Sequence, residues 1–197
     1  MRRGFLLCFI IFLLSSLLFA QAAYRLKTRT ASELAAGQRQ VVGAYCRSDF
    51  EGLRLSENGW AKMRPLTRDM RNPEFSAVMI VSRYTFAPPA AVSKDVAVTY
   101  SVIGRYEVGF GFTPLRATPS AIFHVEDVDG DLVITEMPST PYVSKGAALS
   151  WLKAELVKAQ PSTLHKAQLE RAIAAMDQTA PAHGPGAATA PATAAPK

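Results

Sequence analysis

The segment AIFHVEDVDGDLVITEM, residues 121–137, alternates apolar and polar side chains on both sides of the dipeptide Asp129-Gly130. Alternation with a period of two is typical of a half-buried β-strand. Asp-Gly is a strong signal for a two-residue hairpin turn, because both central positions of that turn need positive φ. The segment therefore predicts two antiparallel strands joined by a tight turn, in a sheet with one buried face.

The position of the turn determines which residues face each other across this hairpin. The predicted pairs are Val125 with Ile134, Phe123 with Glu136, and His124 with Thr135. This register places the Glu136 carboxylate on the same face as Phe123 and turns His124 to the opposite face.

The same segment carries aspartates at alternate positions, Asp127, Asp129 and Asp131, which raises the alternative of a calcium loop. A calcium loop closes with a bidentate glutamate at its last position. Counting from Asp127, that position is Pro138. The segment is therefore interpreted as a turn, and no metal site is predicted.

Two more period-two segments precede the hairpin. In residues 76–89 one phase contains Val78, Ile80, Tyr84 and Phe86, with Ser82 as the exception. In residues 95–112 one face contains Val96, Val98, Tyr100 and Val102, and Tyr106 continues the phase. Gly104, Gly109 and Gly111 predict bends or bulges, and hence a curved sheet.

A long helix and a short one are predicted before the sheet. Thr30 and Glu33 have the spacing of a capping box, and apolar residues recur at helical spacing from Ser32 to Glu51. Ser56 is a candidate cap for a short helix that carries Trp60 and ends near Pro65.

Helices are also predicted after the sheet, from residue 144 to residue 177, with a break at Pro161. From Gln178 onward the chain is nearly all Ala, Pro, Thr and Gly, and it has no large apolar residue to bury. Such a composition predicts a disordered tail over residues 178–197. The predicted organisation is a leader at residues 1–23, one α+β domain at 30–143, the C-terminal helices, and the tail.

The first 23 residues have the pattern of a signal peptide. Arg2 and Arg3 precede an apolar run from Phe5 to Phe19, and Ala20-Gln21-Ala22 has the spacing of a cleavage site. The protein is therefore predicted to be exported, to the periplasm or the medium. The alternative is an uncleaved leader that anchors the chain, and a membrane is expected as a partner only in that case.

The charge balance argues against a nucleic-acid-binding protein. The chain has 22 Lys+Arg against 16 Asp+Glu, and without Arg2 and Arg3 the balance is 20 against 16, a net charge of +4. The basic residues are scattered and do not form a dense run with interleaved aromatics. Motifs for a serine nucleophile, a zinc protease, a cysteine pair or a phosphate loop are also missing from the sequence, so no cofactor is expected.

The segments VVGAYCRSDFEGLRL, residues 41–55, and IFHVEDVDGDLVITEMPSTPY, residues 122–142, resemble the long helix and closing hairpin of the nuclear transport factor 2-like superfamily. The resemblance covers about residues 32–141. It implies an α+β fold in which a curved antiparallel sheet wraps on the N-terminal helix, here with a C-terminal helical extension. The superfamily contains ketosteroid isomerase-like and dehydratase-like enzymes as well as non-catalytic ligand-binding and assembly domains.

The resemblance implies a cone whose mouth holds an Asp or His base and tyrosines in the enzymes. The residues predicted to line such a pocket are Asp49, Trp60, Tyr84, Tyr100 and Glu136. Asp49 and Glu136 are the candidate bases, and the alternative for each is a solvated or ion-paired carboxylate.

Three functions stay open at this point. The first is a non-catalytic domain that binds a small apolar ligand or assembles with other molecules, for example as a homodimer. The second is an isomerase-like or dehydratase-like enzyme, and the third is an interaction protein anchored in the cell envelope.

Overall fold

The computed structural model describes residues 29–68, 70–88, 93–160 and 164–179. The predicted leader lies outside these residues, and so does the predicted tail apart from Gln178 and Thr179. The described helices are α1 (Ala31–Phe50), α2 (Glu57–Met63), α3 (Lys145–Lys158) and α4 (Leu164–Gln178), with short 3-10 helices at Leu53–Leu55 and Arg64–Leu66. The strands are β1 (Ala77–Phe86), β2 (Asp95–Glu107), β3 (Gly111–Ala117), β4 (Ser120–Val128), β5 (Asp131–Glu136) and β6 (Tyr142–Ser144).

Helix α1 begins where the capping box predicts. The Glu33 backbone N–H donates to Thr30 Oγ1 at 3.3 Å, and the Thr30 N–H donates to Glu33 Oε2 at 2.8 Å. The helix ends before Gly52, whose φ of 83° lies in the left-handed region. The predicted short helix is confirmed as α2, where the Gly59 N–H donates to Ser56 Oγ at 3.1 Å.

The strands form one curled sheet with the order β5-β4-β2-β1-β6, and β3 pairs with β2. β2 is long enough to carry two partners on one edge, since β4 pairs with its first half and β3 with its second half. β6 pairs with β1 in parallel, so the predicted all-antiparallel sheet is corrected to a mixed one. The α+β class and the curled half-barrel sheet are compatible with a cone-like fold.

The hairpin at residues 121–137 is confirmed, with positive φ at both Asp129 (55°) and Gly130 (92°). Val125 pairs with Ile134 as predicted. Beyond that pair the register shifts by one residue at Thr135, so His124 pairs with Glu136. The predicted pairs Phe123–Glu136 and His124–Thr135 are therefore wrong, because a bulge adds one residue to β5.

A second irregularity divides β1 into two parts. Its register against β2 shifts on both sides of Val81. Val78 and Ile80 consequently pack with the C-terminal helices, whereas Tyr84 and Phe86 pack with α1. The prediction that these four residues share one face is wrong for this reason. In β2 the alternate residues Val96, Val98, Tyr100 and Val102 share a face as predicted, but Tyr106 packs with the C-terminal helices.

Two hydrophobic clusters result from these shifts. The first core lies between α1, α2 and the sheet, and it contains Val42, Tyr45, Trp60, Tyr100, Phe123 and Ile134. The second core lies between the sheet and helices α3 and α4, and it contains Val78, Ile80, Tyr106, Leu152, Leu169 and Met176. The C-terminal helices therefore pack against the body of the protein.

Candidate functional site

The buried carboxylate Asp49 is the most unusual group in the first core. It lies in the last turn of α1 and is only 1% exposed. Its Oδ2 accepts the backbone N–H of Tyr142 at 2.9 Å, while Oδ1 has no hydrogen-bond partner. Burial raises the pKa of Asp49 to about 7, although the nearby Arg54 charge and the Tyr142 N–H both act to lower it.

Arg54 is the positive group beside this carboxylate, and it is fully buried. Its Nη1 donates to Tyr45 Oη at 3.2 Å and to the Pro138 carbonyl at 2.8 Å. Its Nη2 donates to the Ser139 carbonyl, and its Nε donates to Asn72 Oδ1 at 3.1 Å. The guanidinium therefore joins the 3-10 helix Leu53–Leu55 to the loops that contain Asn72 and Pro138–Ser139. The several N–H donors of an arginine side chain allow it to cross-link the structure in this way.

Aromatic rings fill the space around these two charges. The Tyr100 ring stacks on the Tyr142 ring, with centroids 3.9 Å apart and planes 12° apart. The Tyr45 ring meets Phe123 edge-on at 5.3 Å. Burial raises the pKa of both Tyr45 and Tyr100 above the ordinary tyrosine range, so both hydroxyls stay protonated.

Four of the five predicted pocket residues belong to the first core. Trp60 is fully buried and its Nε1 donates to the Met70 carbonyl at 3.0 Å. Tyr84 lies partly exposed between the rings of Phe50 and Phe86. With Asp49 and Tyr100, these side chains contact other protein groups on the α1 side of the sheet.

The fifth predicted residue, Glu136, lies apart from the other four. The bulge at Thr135 pairs it with His124, and its side chain is exposed. His124 in turn contacts Asp95, with 2.7 Å between Nδ1 and Oδ1. The prediction that Glu136 shares the face of Phe123 is therefore wrong, and Glu136 belongs to a polar surface.

A solvent-open cleft of about 510 Å³ lies where α1 meets strand β5. Its lining residues are Arg29, Gly37, Gln40, Val41, Pro65, Asp131, Leu132 and Val133. Gly37 allows the close approach here, because a Cβ at that position would lie 2.5 Å from Leu132 Cδ1. This volume lies within the usual range of small-molecule sites.

Polar and apolar groups contribute about equally to the lining of the cleft. Arg29 is held in place, because Nη1 donates to Asp127 Oδ2 at 2.7 Å and Nη2 donates to the Gly130 carbonyl at 2.6 Å. The sequence predicted neither the cleft nor the role of Arg54. The distance between a helix and a strand cannot be derived from the spacing of neighbouring residues, and neither can the burial of a single arginine.

Two further observations limit the chemistry of the described residues. Within residues 29–68, 70–88, 93–160 and 164–179, no group of three or more His, Cys, Asp or Glu could hold a metal ion. Over the same ranges, none of the helices combines the length and apolar character that crossing a bilayer requires. Asp127 is used locally, since its Oδ1 accepts the Gly130 N–H at 3.0 Å.

No family model, curated protein or solved structure matches this chain. The geometry of its own residues therefore carries the functional argument.

Proposed function

We propose that the protein is an exported, non-catalytic domain of the nuclear transport factor 2-like type that binds a small, largely apolar ligand in the cleft between α1 and β5. The observation that carries this proposal is the closed first core. Tyr45, Trp60, Tyr100 and Phe123 are each at most 1% exposed, so the protein's own rings occupy the volume in which an enzyme of this type would hold substrate.

The cleft supports binding through its volume and its mixed lining. Val41, Pro65 and Leu132 supply apolar surface, and Arg29, Gln40 and Asp131 supply polar groups. Polar groups in a small-molecule site fix the orientation of the ligand. A ligand with an apolar body and a polar end fits this arrangement.

The test uses the neutral apolar dye N-phenyl-1-naphthylamine, whose fluorescence rises when it leaves water. We expect saturable binding, and we expect Val41→Asp to weaken it by roughly tenfold or more, because a charge in an apolar wall opposes an apolar ligand. Val41→Thr keeps the side-chain shape and should weaken binding less.

The control is Ile122→Asp, which introduces the same charge at an exposed apolar residue of β4 outside the cleft. Melting curves of each variant establish that it is folded. Equal dye binding by Val41→Asp and Ile122→Asp, both folded, would contradict the proposal.

A second candidate function is proton transfer by Asp49. The partnerless Oδ1 and the pKa near 7 favour it, since general bases work best near the ambient pH. Against it, Asp49 is buried and is not among the residues that line the cleft. The test is deuterium exchange next to the carbonyl of cyclohexanone: exchange that Asp49→Asn abolishes would support catalysis, and the binding proposal expects none.

Export and removal of the leader are part of the proposal and rest on Arg2, Arg3 and the apolar run that follows them. The mass of the protein recovered from the producing cell tests this part. A mass that lacks about the first 22 residues supports cleavage, whereas an intact N-terminus favours the anchored alternative.

A further inference from the structure

Four large apolar side chains project into solvent from neighbouring turns at one end of the molecule. Phe110 is 89% exposed and Val108 is 51% exposed, and both lie in the turn between β2 and β3. Val157, near the end of α3, is 87% exposed, and Leu164, at the start of α4, is 72% exposed. We call these four residues the apolar tip.

Two sets of contacts bring these turns together. Gln168 Nε2 donates to the Gly109 carbonyl at 2.9 Å, which holds α4 beside the β2–β3 turn. Leu164 lies one helical turn before Gln168, and therefore on the same side of α4. Lys145, at the start of α3, donates to the carbonyls of Asp177 and Thr179 at the end of α4. The two helices are thus antiparallel, and the end of α3 lies near the start of α4.

The β2–β3 turn is open on the side of its glycines. A Cβ added at Gly109 or at Gly111 would meet nothing within 4 Å. Because the Phe110 ring is 89% exposed as well, the turn presents an uncovered aromatic ring that can enter a deformable apolar medium.

The segments that carry the tip are basic. Residues 105–116, 153–160 and 164–171 contain Lys or Arg at six positions and Glu at three. Two of the three glutamates are ion-paired, Glu107 with Arg105 at 2.5 Å and Glu155 with Lys158 at 2.8 Å. The surroundings of the tip therefore complement an anionic surface.

We propose that the apolar tip is a membrane-contact site, at which Phe110 and its apolar neighbours enter the headgroup–acyl boundary of an anionic bilayer while nearby Lys and Arg side chains contact lipid phosphates. Peripheral proteins bind membranes by this combination of apolar burial and attraction to anionic lipids. The site is separate from the cleft between α1 and β5, and it does not depend on the proposed ligand.

The experiment measures how deeply one residue of the full chain enters the bilayer. Membrane binding through residues 1–28 alone would not place that residue in the bilayer, so it cannot give the same result. Phe110→Trp is mixed with vesicles made of equal parts phosphatidylcholine and phosphatidylglycerol, with and without brominated acyl chains that quench tryptophan inside the bilayer. The emission of the parent protein, from Trp60 and Trp151, is subtracted. We expect a blue shift with plain vesicles and a loss of emission with brominated ones.

The matched control is Ile122→Trp, which places the same probe at an apolar residue that is 61% exposed on β4. The proposal expects no bromine quenching at that position, and weaker quenching of Phe110→Trp on phosphatidylcholine alone or at high salt. Phe110→Ser should also lower vesicle binding by roughly tenfold relative to Ile122→Ser, compared in the same N-terminal form.

Three outcomes would overturn the proposal. One is an unquenched Phe110→Trp, and another is equal quenching at positions 110 and 122. The third is a blue shift of Phe110→Trp that grows with protein concentration in the absence of lipid, which would assign the tip to contact between copies of the chain.

Discussion

Asp49 Oδ2 accepts the backbone N–H of Tyr142 at 2.9 Å, and this bond joins the last turn of the long helix α1 to the first residue of the parallel strand β6. Both groups are buried, and the second carboxylate oxygen has no partner. One oxygen therefore holds the edge of the sheet to the helix, while the charge on the carboxylate is poorly solvated.

This arrangement predicts a pH-dependent stability. The pKa of Asp49 rises from 3.8 to about 7 on folding, so the folded state binds the proton more tightly than the unfolded state does. The free energy of unfolding should therefore fall as the pH rises from about 4 to about 7, and level off above that range. The contribution is of the order of a few kcal/mol.

Asp49→Asn tests this prediction, because it keeps the Tyr142 bond and removes the titration. Urea unfolding of both proteins between pH 4 and pH 8 should show that the free energy of unfolding falls more steeply with pH for the parent. The variant should therefore become more stable relative to the parent as the pH rises. Parallel stability curves would show that Asp49 does not titrate in this window.

Arg54 should be among the least replaceable residues of the chain. Arg54→Ala leaves the Tyr45 hydroxyl and the carbonyls of Pro138 and Ser139 without their donor, and we expect a loss of roughly 3–5 kcal/mol in the free energy of unfolding. Arg54→Lys keeps the charge without the fork, so it should restore only part of the loss. Exposed Arg71 serves as the control, and an equally small effect of Arg71→Ala and Arg54→Ala would contradict the assigned network.

Strands β2 and β3 pack closely at Gly104, against the ring of Phe112. A Cβ at this position would overlap the ring of Phe112, so Gly104→Ala should lower the free energy of unfolding by roughly 1–3 kcal/mol. Gly146 lies in the first turn of α3, where a Cβ meets nothing within 4 Å. Gly146→Ala should therefore be neutral or stabilising by up to about 1 kcal/mol. Thermal or urea unfolding of Gly104→Ala and Gly146→Ala measures both effects. A Gly104→Ala protein more stable than Gly146→Ala would contradict the close packing at Gly104.

The elements with strong local signals were predictable. The capping box at Thr30 and Glu33 predicted the start of α1, and Asp129-Gly130 predicted the hairpin, because in both cases neighbouring residues supply the determining contacts. The alternation in β2 up to Val102 was equally informative. The α+β class followed from the change of period between these segments.

The predictions that were wrong concerned features that depend on contacts between residues distant in sequence. Bulges near Val81 and at Thr135 moved residues to other faces. Gly104 pairs with Ile80 beside the first bulge and indicated an irregularity there, but it did not show which residues would change face, and Thr135 carries no such signal. The parallel pairing of β6 depends on where the chain returns after β5. Of the candidate site, Asp49 was predicted as a candidate base, but the neighbouring Arg54 was missed because a lone arginine is ordinarily a surface residue.

The central claim is that the first core is sealed by its own side chains, and Cys46 tests it most directly. Its thiol is 1% exposed and lies 3.3 Å from the Tyr100 hydroxyl, and burial raises its pKa to about 12. The measurement is the rate of reaction with Ellman's reagent in the Cys8→Ser variant, in which Cys46 is the remaining thiol. We predict no reaction in native buffer and complete reaction in denaturant. Rapid reaction of the native protein, at the rate of an exposed thiol, would contradict a sealed core and reopen the case for a pocket at Asp49.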